Sequence, residues 1–268
     1  MSSGLLSACL FLLLDASGSV DAAEHKLQRE ATAAALTSPE FLARVEYEGG
    51  IAVAVAEFSS DVTVIADWTT IRDGVAAAVL ADAIVATPRV QQASTATGDA
   101  VFHAVMALKR APACQRQVVD VSTDGRVNSG MGLEEAVALA RAHGVMVNAI
   151  VIEEATEPGL LDYYRDAVNG FALPATWDTY AQSLKMKMTL EIANAPSLRV
   201  DPPRLAAEYV PFSSVDAQQW VLVDLTQPTL VAVHSAHYAR GSDVSGPGGL
   251  ATLAAGIVIL FGAAWRRK

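Results

Sequence analysis

Short apolar runs alternate with amphipathic stretches along most of the chain. Leu10 to Leu14 is uninterrupted apolar sequence, the pattern of a strand covered on both faces. Val20 to Leu36 has helical spacing, with Glu24, Lys26, Gln28, Arg29 and Glu30 on its polar side. Ile51 to Phe58 and Val62 to Ile65 read as strands joined by the turn Ser59-Ser60-Asp61, a hairpin. Ile71 to Ile84 is Ala-rich and helical, and Thr87 to Thr97 is a polar loop. Gly98 to Arg110 reads as a helix. Val118 to Val121 reads as a strand that closes on Thr123-Asp124-Gly125. Leu133 to His143 predicts a helix and Val145 to Ile152 a strand. Leu160 to Val168 and Thr176 to Ile192 predict two last helices. Strands alternating with helices predict one three-layer α/β domain over residues 8–195. Its sheet is doubly wound, Rossmann-like and mostly parallel, with right-handed crossovers and one antiparallel edge strand from the hairpin.

The rhythm breaks after that domain. Residues 196–247 read as a linker or a small β extension. Trp220 to Leu225 and Thr229 to His234 are candidate strands, and an extended stalk is the alternative. From Gly248 to Trp265 the chain is uncharged and apolar, followed by Arg266, Arg267 and Lys268. That length is near the lower limit for crossing a bilayer, so 248–268 predicts a transmembrane tail with its basic end in the cytoplasm. A buried core helix is the other reading, but such a helix normally carries a polar stripe. The domain before the tail is then expected outside the cytoplasm, in the cell envelope. An exported domain needs a signal peptide, and none is recognisable here. Leu6-Ser7-Ala8-Cys9 resembles a lipoprotein cleavage box, yet too few residues precede the cysteine. We expect the signal to be missing from this sequence.

Apolar residues are 52% and charged residues 18%, enough for a packed core. The formal net charge of −10 argues against a nucleic-acid partner, which needs clustered Lys and Arg.

The candidate chemistry lies at predicted strand ends. Asp15-Ala16-Ser17-Gly18-Ser19 follows the first strand, at the edge where open α/β sheets bind ligands. Taken singly, the pentapeptide could equally be a helix-capping loop. Two more loops bring oxygen donors to the same edge: Thr95-Ala96-Thr97-Gly98-Asp99, and Thr123-Asp124-Gly125. Carboxylates and hydroxyls are hard donors that suit Mg²⁺, Mn²⁺ or Ca²⁺.

Together these loops resemble the metal-ion-dependent adhesion site of von Willebrand factor A domains, whose pattern is Asp-x-Ser-x-Ser, a loop Thr and a Thr-Asp-Gly turn. The resemblance covers about residues 8–192. It implies a divalent cation, with Mg²⁺ the first expectation, coordinated by Ser17, Ser19 and Thr95, and held by Asp15 and Asp124 directly or through water. Thr97 competes with Thr95 for its place. A carboxylate from a partner protein or an acidic glycan would complete the shell. More closely, Cys9 to Glu30, Ala113 to Asn128 and Asp162 to Asn169 resemble a bacterial von Willebrand factor A-like family of unknown function. The tail, with Val244-Ser245-Gly246-Pro247 before it, resembles a PEP-CTERM-type sorting signal cut by an exosortase. It lacks Pro-Glu-Pro, so a plain anchor remains the alternative.

In this frame Cys9 lies six residues before Asp15, and Cys114 six before Asp120 on the neighbouring strand. Both then sit at the amino ends of adjacent parallel strands, close enough for a disulfide, which implies an oxidising compartment. Asp120 interrupts a buried strand. It is a candidate for a supporting role beneath the metal, with a structural hydrogen bond as the alternative. The five histidines assemble no site, and Trp177 and Tyr180 read as packing residues. No nucleophile elbow, phosphate-binding loop or dinucleotide fingerprint occurs. The expectation is therefore an extracytoplasmic metal-dependent binding module and not an enzyme. The alternatives are an envelope-assembly protein with an unused metal site, and a metal-dependent hydrolase.

Overall fold

The computed structural model describes residues 5–90, 92–153 and 157–193, and the backbone of three strands between 210 and 236. Strand β1 (Leu6–Asp15) is buried along its whole length. It forms the middle of a six-stranded sheet with β2 (Ile51–Phe58), β3 (Val62–Ile71), β4 (Cys114–Thr123), β5 (Val145–Ile152) and β6 (Ala172–Ala175), in the order β3-β2-β1-β4-β5-β6. Only β2 and β3 run antiparallel. The strand order reverses at β1, so the carboxyl edge between β1 and β4 is the switch point where such sheets leave a crevice.

Helices α1 (Ala22–Leu36), α2 (Pro39–Tyr47), α3 (Gly74–Ala86) and α7 (Tyr180–Ile192) cover one face. They pack on Leu10, Leu12, Leu14, Val53, Val55 and Ile150. Helices α4 (Thr97–Leu108), α5 (Leu133–Ala142) and α6 (Leu160–Ala167) cover the other, over Phe11, Leu13, Val119, Val121 and Val147. The period of two along β1 sends alternate side chains into two separate cores, which is why the strand reads as unbroken apolar sequence.

The boundaries differ from expectation where tertiary context decides them. Strand β3 runs on to Ile71 instead of ending at Ile65. As an edge strand it is half-exposed, so Asp67, Thr69 and Thr70 dilute its apolar signal. The next helix starts at Gly74 behind Asp73, whose carboxylate accepts from the amides of Val75 and Ala76. Helix α2, capped by Ser38 with Pro39 at its first position, and the four-residue β6 were not anticipated. The expected polar face of α1 is partly buried: Gln28 and Arg29 are 1% and 4% exposed. Gln28 turns in to the Asp15 carbonyl, and Arg29 to Glu57 inside β2, which takes Arg29 Nε at 2.8 Å and also His25 Nε2. A carboxylate in a buried strand needs such a partner.

The register fixes the place of Asp120. Leu12, not Asp15, lies opposite it. Asp120 sits below the edge and pairs with the fully buried Lys187 of α7, not with the loop carboxylates. Lys187 Nζ also donates to Glu191 Oε1 at 2.7 Å, and Asn148 Nδ2 to the same oxygen at 2.8 Å. The partner of Asp120 is thus a structural one, the alternative the sequence offered: an ion pair that, with Glu191, straps α7 to the sheet.

Cys9 and Cys114 form the disulfide, with Cα atoms 5.9 Å apart. They are diagonal neighbours, since Leu6 lies opposite Cys114.

Residues 200–268 form a second unit. Its described part is an antiparallel meander of β7 (Val210–Ser214), β8 (Ala217–Asp224) and β9 (Thr229–Ala236). The expected strands fall on β8 and β9. The apolar tail lies outside the described residues. Among the described residues no helix is long and apolar enough to cross a membrane.

This packing can be probed at two points. Removing the disulfide by Cys9→Ala/Cys114→Ala frees a 105-residue separation. Chemical denaturation should register a loss of up to about 4–5 kcal/mol, the loop-closure value for that length. The second point is Glu191, which burial, then the nearby Asp120, push up to about 8 against the pull of Lys187. A folded value above the ordinary 4.5 means that its contribution is full below that value and is lost as pH rises toward about 8. Wild-type melting temperature should therefore fall from pH 5 to pH 8 more steeply than that of Glu191→Gln. Parallel slopes in a thermal scan would contradict this.

Candidate metal centre

Strand β1 delivers Asp15 to the carboxyl edge at full burial. Its Oδ1 accepts from the amide of Ser17 at 2.8 Å and its Oδ2 from Thr123 Oγ1 at 2.5 Å. Burial raises its pKa, opposed by the hydrogen bonds from Ser17 and Thr123. These partners are neutral, and among the described residues no basic side chain forms an ion pair with it.

The loop after Asp15 is not the helix cap. Asp21 caps α1, accepting from Ala23 and Glu24 amides while Glu24 Oε2 accepts from the Asp21 amide, a reciprocal capping box. That leaves Ser17 and Ser19 for another purpose. Their hydroxyls lie 3.1 Å apart, and Ser19 Oγ donates to Asp124 Oδ1 at 2.7 Å. The line Ser17–Ser19–Asp124 thus runs from the β1 loop to the β4 loop.

Thr95 comes from the third loop. Asn128 holds it on both sides: Asn128 Oδ1 accepts from the Thr95 amide at 2.8 Å, and the Asn128 amide donates to the Thr95 carbonyl at 3.1 Å. Thr97 points elsewhere, its hydroxyl 3.3 Å from the Tyr164 hydroxyl. Neither threonine caps α4 through its side chain. A cavity of about 310 Å³ opens over this edge, lined by Ser19, Thr95 and Asn128, with Arg126 and Glu157 on its wall. Arg126 Nε stands 3.4 Å from Glu157 Oε1.

Two glycines make the loops fit. A Cβ on Gly98 would lie 2.0 Å from the carbonyl oxygen of Met131, so the start of α4 can approach that loop only without a side chain. Gly130 has φ +72° and packs against Asp99.

Among the described residues no three His, Cys, Asp or Glu side chains gather to hold an ion. The donors here are two carboxylates and three hydroxyls, a set that fits a small hard cation and not a soft one. His25 is engaged with Glu57, His103 packs edge-on to Phe11, and His143 ends α5, so none is in position to serve as a base at this edge.

A family model described as a protein of unknown function (DUF1194) matches residues 6–196. The chain belongs to that family. No curated protein matches it. Solved structures similar to this DUF1194 chain show its fold to be von Willebrand factor A-like. A von Willebrand factor type A protein from Catenulispora acidiphila has TM-score 0.53 and 17% identity, over 69% of this chain and 43% of that one. Proximal thread matrix protein 1 from the mussel byssus, with a zinc-occupied MIDAS motif, has TM-score 0.51 and 18% identity, over 70% and 46%. The pilus adhesin SpaC from Lactobacillus rhamnosus GG has TM-score 0.55 and 13% identity, over 72% and 31%. The chain thus spans less than half the length of these relatives.

In this DUF1194 domain the structure brings Asp15, Ser17, Ser19, Thr95 and Asp124 to one edge and leaves Asp120 out. Sequence reasoning missed Asn128 and Tyr164. Tyr164 donates to the Gly125 carbonyl at 2.9 Å, and burial pushes its pKa up. Both act across more than thirty residues of sequence, and no local pattern marks them. Thr123 was visible only as the first letter of its turn. Gly98→Ala should cost at least about 2 kcal/mol in chemical denaturation, because backbone atoms of the Met131 loop cannot move aside cheaply.

Proposed function

We propose that this domain is a divalent-cation-dependent binding module on the outer side of the membrane. In this reading Ser17, Ser19 and Thr95 coordinate the cation, and Asp15 and Asp124 hold it directly or through water. Mg²⁺ is the expected ion. A carboxylate of a partner protein or an acidic glycan completes the shell, and the cation offsets the repulsion between that ligand and an acidic domain. The segment 248–268 anchors the domain or is removed by an exosortase-type enzyme. The observation that carries this reading is Asp15: a fully buried carboxylate, met by neutral donors, facing the Ser17–Ser19–Asp124 line. Supporting it at the level of the fold, a mussel relative has zinc at its MIDAS motif and another relative is a pilus adhesin.

Calorimetry on the intact chain tests it. Mg²⁺ and Mn²⁺ should bind saturably, with Kd in the range of about 0.1–1 mM typical of extracellular modules. Asp15→Ala/Asp124→Ala should abolish that binding while far-ultraviolet circular dichroism shows the fold retained. A folded wild type that binds neither ion would end the proposal.

A further inference from the structure

The supply of backbone carbonyls, more than that of carboxylates, separates Ca²⁺ sites from Mg²⁺ sites. Ca²⁺ takes six to eight oxygens and readily recruits main-chain carbonyls, whereas Mg²⁺ keeps a tight octahedral shell. Around this edge many of the carbonyls already serve another donor. Gln28 Nε2 donates to the Asp15 carbonyl at 3.1 Å. Arg89 Nη2 donates to the carbonyls of Ala16 and Ser17, both at 2.8 Å, and Arg89 Nη1 reaches that of Asp21 at 3.4 Å. On the facing loops the carbonyls of Ala93, Thr95 and Gly125 accept from the Gly18 amide, the Asn128 amide and the Tyr164 hydroxyl.

An engaged carbonyl keeps a second lone pair, so hydrogen bonding by itself does not bar a cation. Arg89 adds a charge. Its guanidinium is permanently cationic, and a divalent ion ligated to the Ala16 or Ser17 oxygen would stand against it at short range. The loop that carries Arg89 is stitched to this region as well: the Gly18 amide donates to the Ala93 carbonyl at 2.7 Å, and Ser59 Oγ to the Ser94 carbonyl at 3.1 Å.

We propose that Arg89 is a positioning residue that sets cation selectivity: by holding the Ala16 and Ser17 carbonyls it confines the site to side-chain oxygens and so favours Mg²⁺ and Mn²⁺ over Ca²⁺. The inference rests on the cation-binding reading above. With the carbonyls withheld, Asp15, Ser17, Ser19, Thr95 and Asp124 supply at most five side-chain oxygens, with water standing in where a carboxylate acts through it, and a water or a ligand carboxylate makes a sixth. That count suits an octahedral ion and leaves a larger one under-coordinated.

The test titrates Mg²⁺ and Ca²⁺ separately into the intact chain by calorimetry, for wild type, Arg89→Gln, Arg89→Met and Arg89→Lys. The two neutral substitutions guard against one of them failing to fold, as checked by circular dichroism. Wild type should prefer Mg²⁺. In the folded neutral variants the Mg²⁺-to-Ca²⁺ affinity ratio should drop about tenfold, chiefly through tighter Ca²⁺ binding, as expected when an extra oxygen becomes available to the ion that can use it. Arg89→Lys, which keeps the charge, should restore most of the ratio. Equal weakening of both ions would mark Arg89 as merely structural and overturn the inference, as would an unchanged ratio, and in both cases the cation-binding reading would stand. Binding of neither ion by wild type would remove that reading and this inference together.

Discussion

Three buried carboxylates stand on three adjacent parallel strands, and among the described residues only one of them has no basic partner. Glu57 on β2 is met by Arg29 and His25, and Asp120 on β4 by Lys187. Asp15, on the central strand between them, is met by the Ser17 amide and the Thr123 hydroxyl. An ionised carboxylate taken from water without a counter-charge is costly, and the usual escapes are a pKa shift or a bound cation. Burial does push Asp15 upward. Yet the groups arrayed in front of it are oxygens, with Ser17, Ser19 and Asp124 linked in one line. A second carboxylate beside an uncompensated first makes structural sense if positive charge arrives from outside.

The same constraint explains why the loops are so firmly tied. Hydroxyls are poor ligands unless they are held in place, because each must lose its water and its rotamer freedom for a modest return. Here the loop after β1 is pinned by Arg89 and Gln28, Thr95 is clamped by Asn128, and the Thr-Asp-Gly turn is pinned by Tyr164. Asn128 also donates directly to the Thr95 hydroxyl, from Nδ2 at 3.5 Å. Arg89 and Gln28 hold backbone carbonyls, and the backbone fixes the serine hydroxyls.

This division also governs what could be read from the chain. Asp15, Ser17 and Ser19 were legible because one turn of backbone carries all three, and Thr95 and Asp124 because each lies in a short recognisable loop. The central strands were legible because burial on both faces leaves an unbroken apolar run. The edge strand β3 was cut short for the converse reason, since one face of it meets water. What escaped were interactions between distant residues. Nothing near Gln28 or Arg29 shows that the apparent polar face of α1 points inward, because their partners, the Asp15 carbonyl and Glu57, lie in two strands of the sheet. Nor could spacing from Cys114 place Asp120, since a shift of three residues in strand register decides whether it stands at the edge or beneath it.

The α/β domain has two unlike poles. Helix α7 begins beside β6 and ends at Ile192, where Arg116 donates to its last carbonyls, Ile192 O at 2.8 Å and Ala193 O. Arg116 lies two residues into β4 from Cys114, at the amino edge of the sheet, and the disulfide lies at that same edge. The chain therefore leaves the domain at the pole opposite Asp15 and its oxygens. The covalent link and the Asp120–Lys187–Glu191 strap reinforce the path by which the departing helix is held to the sheet.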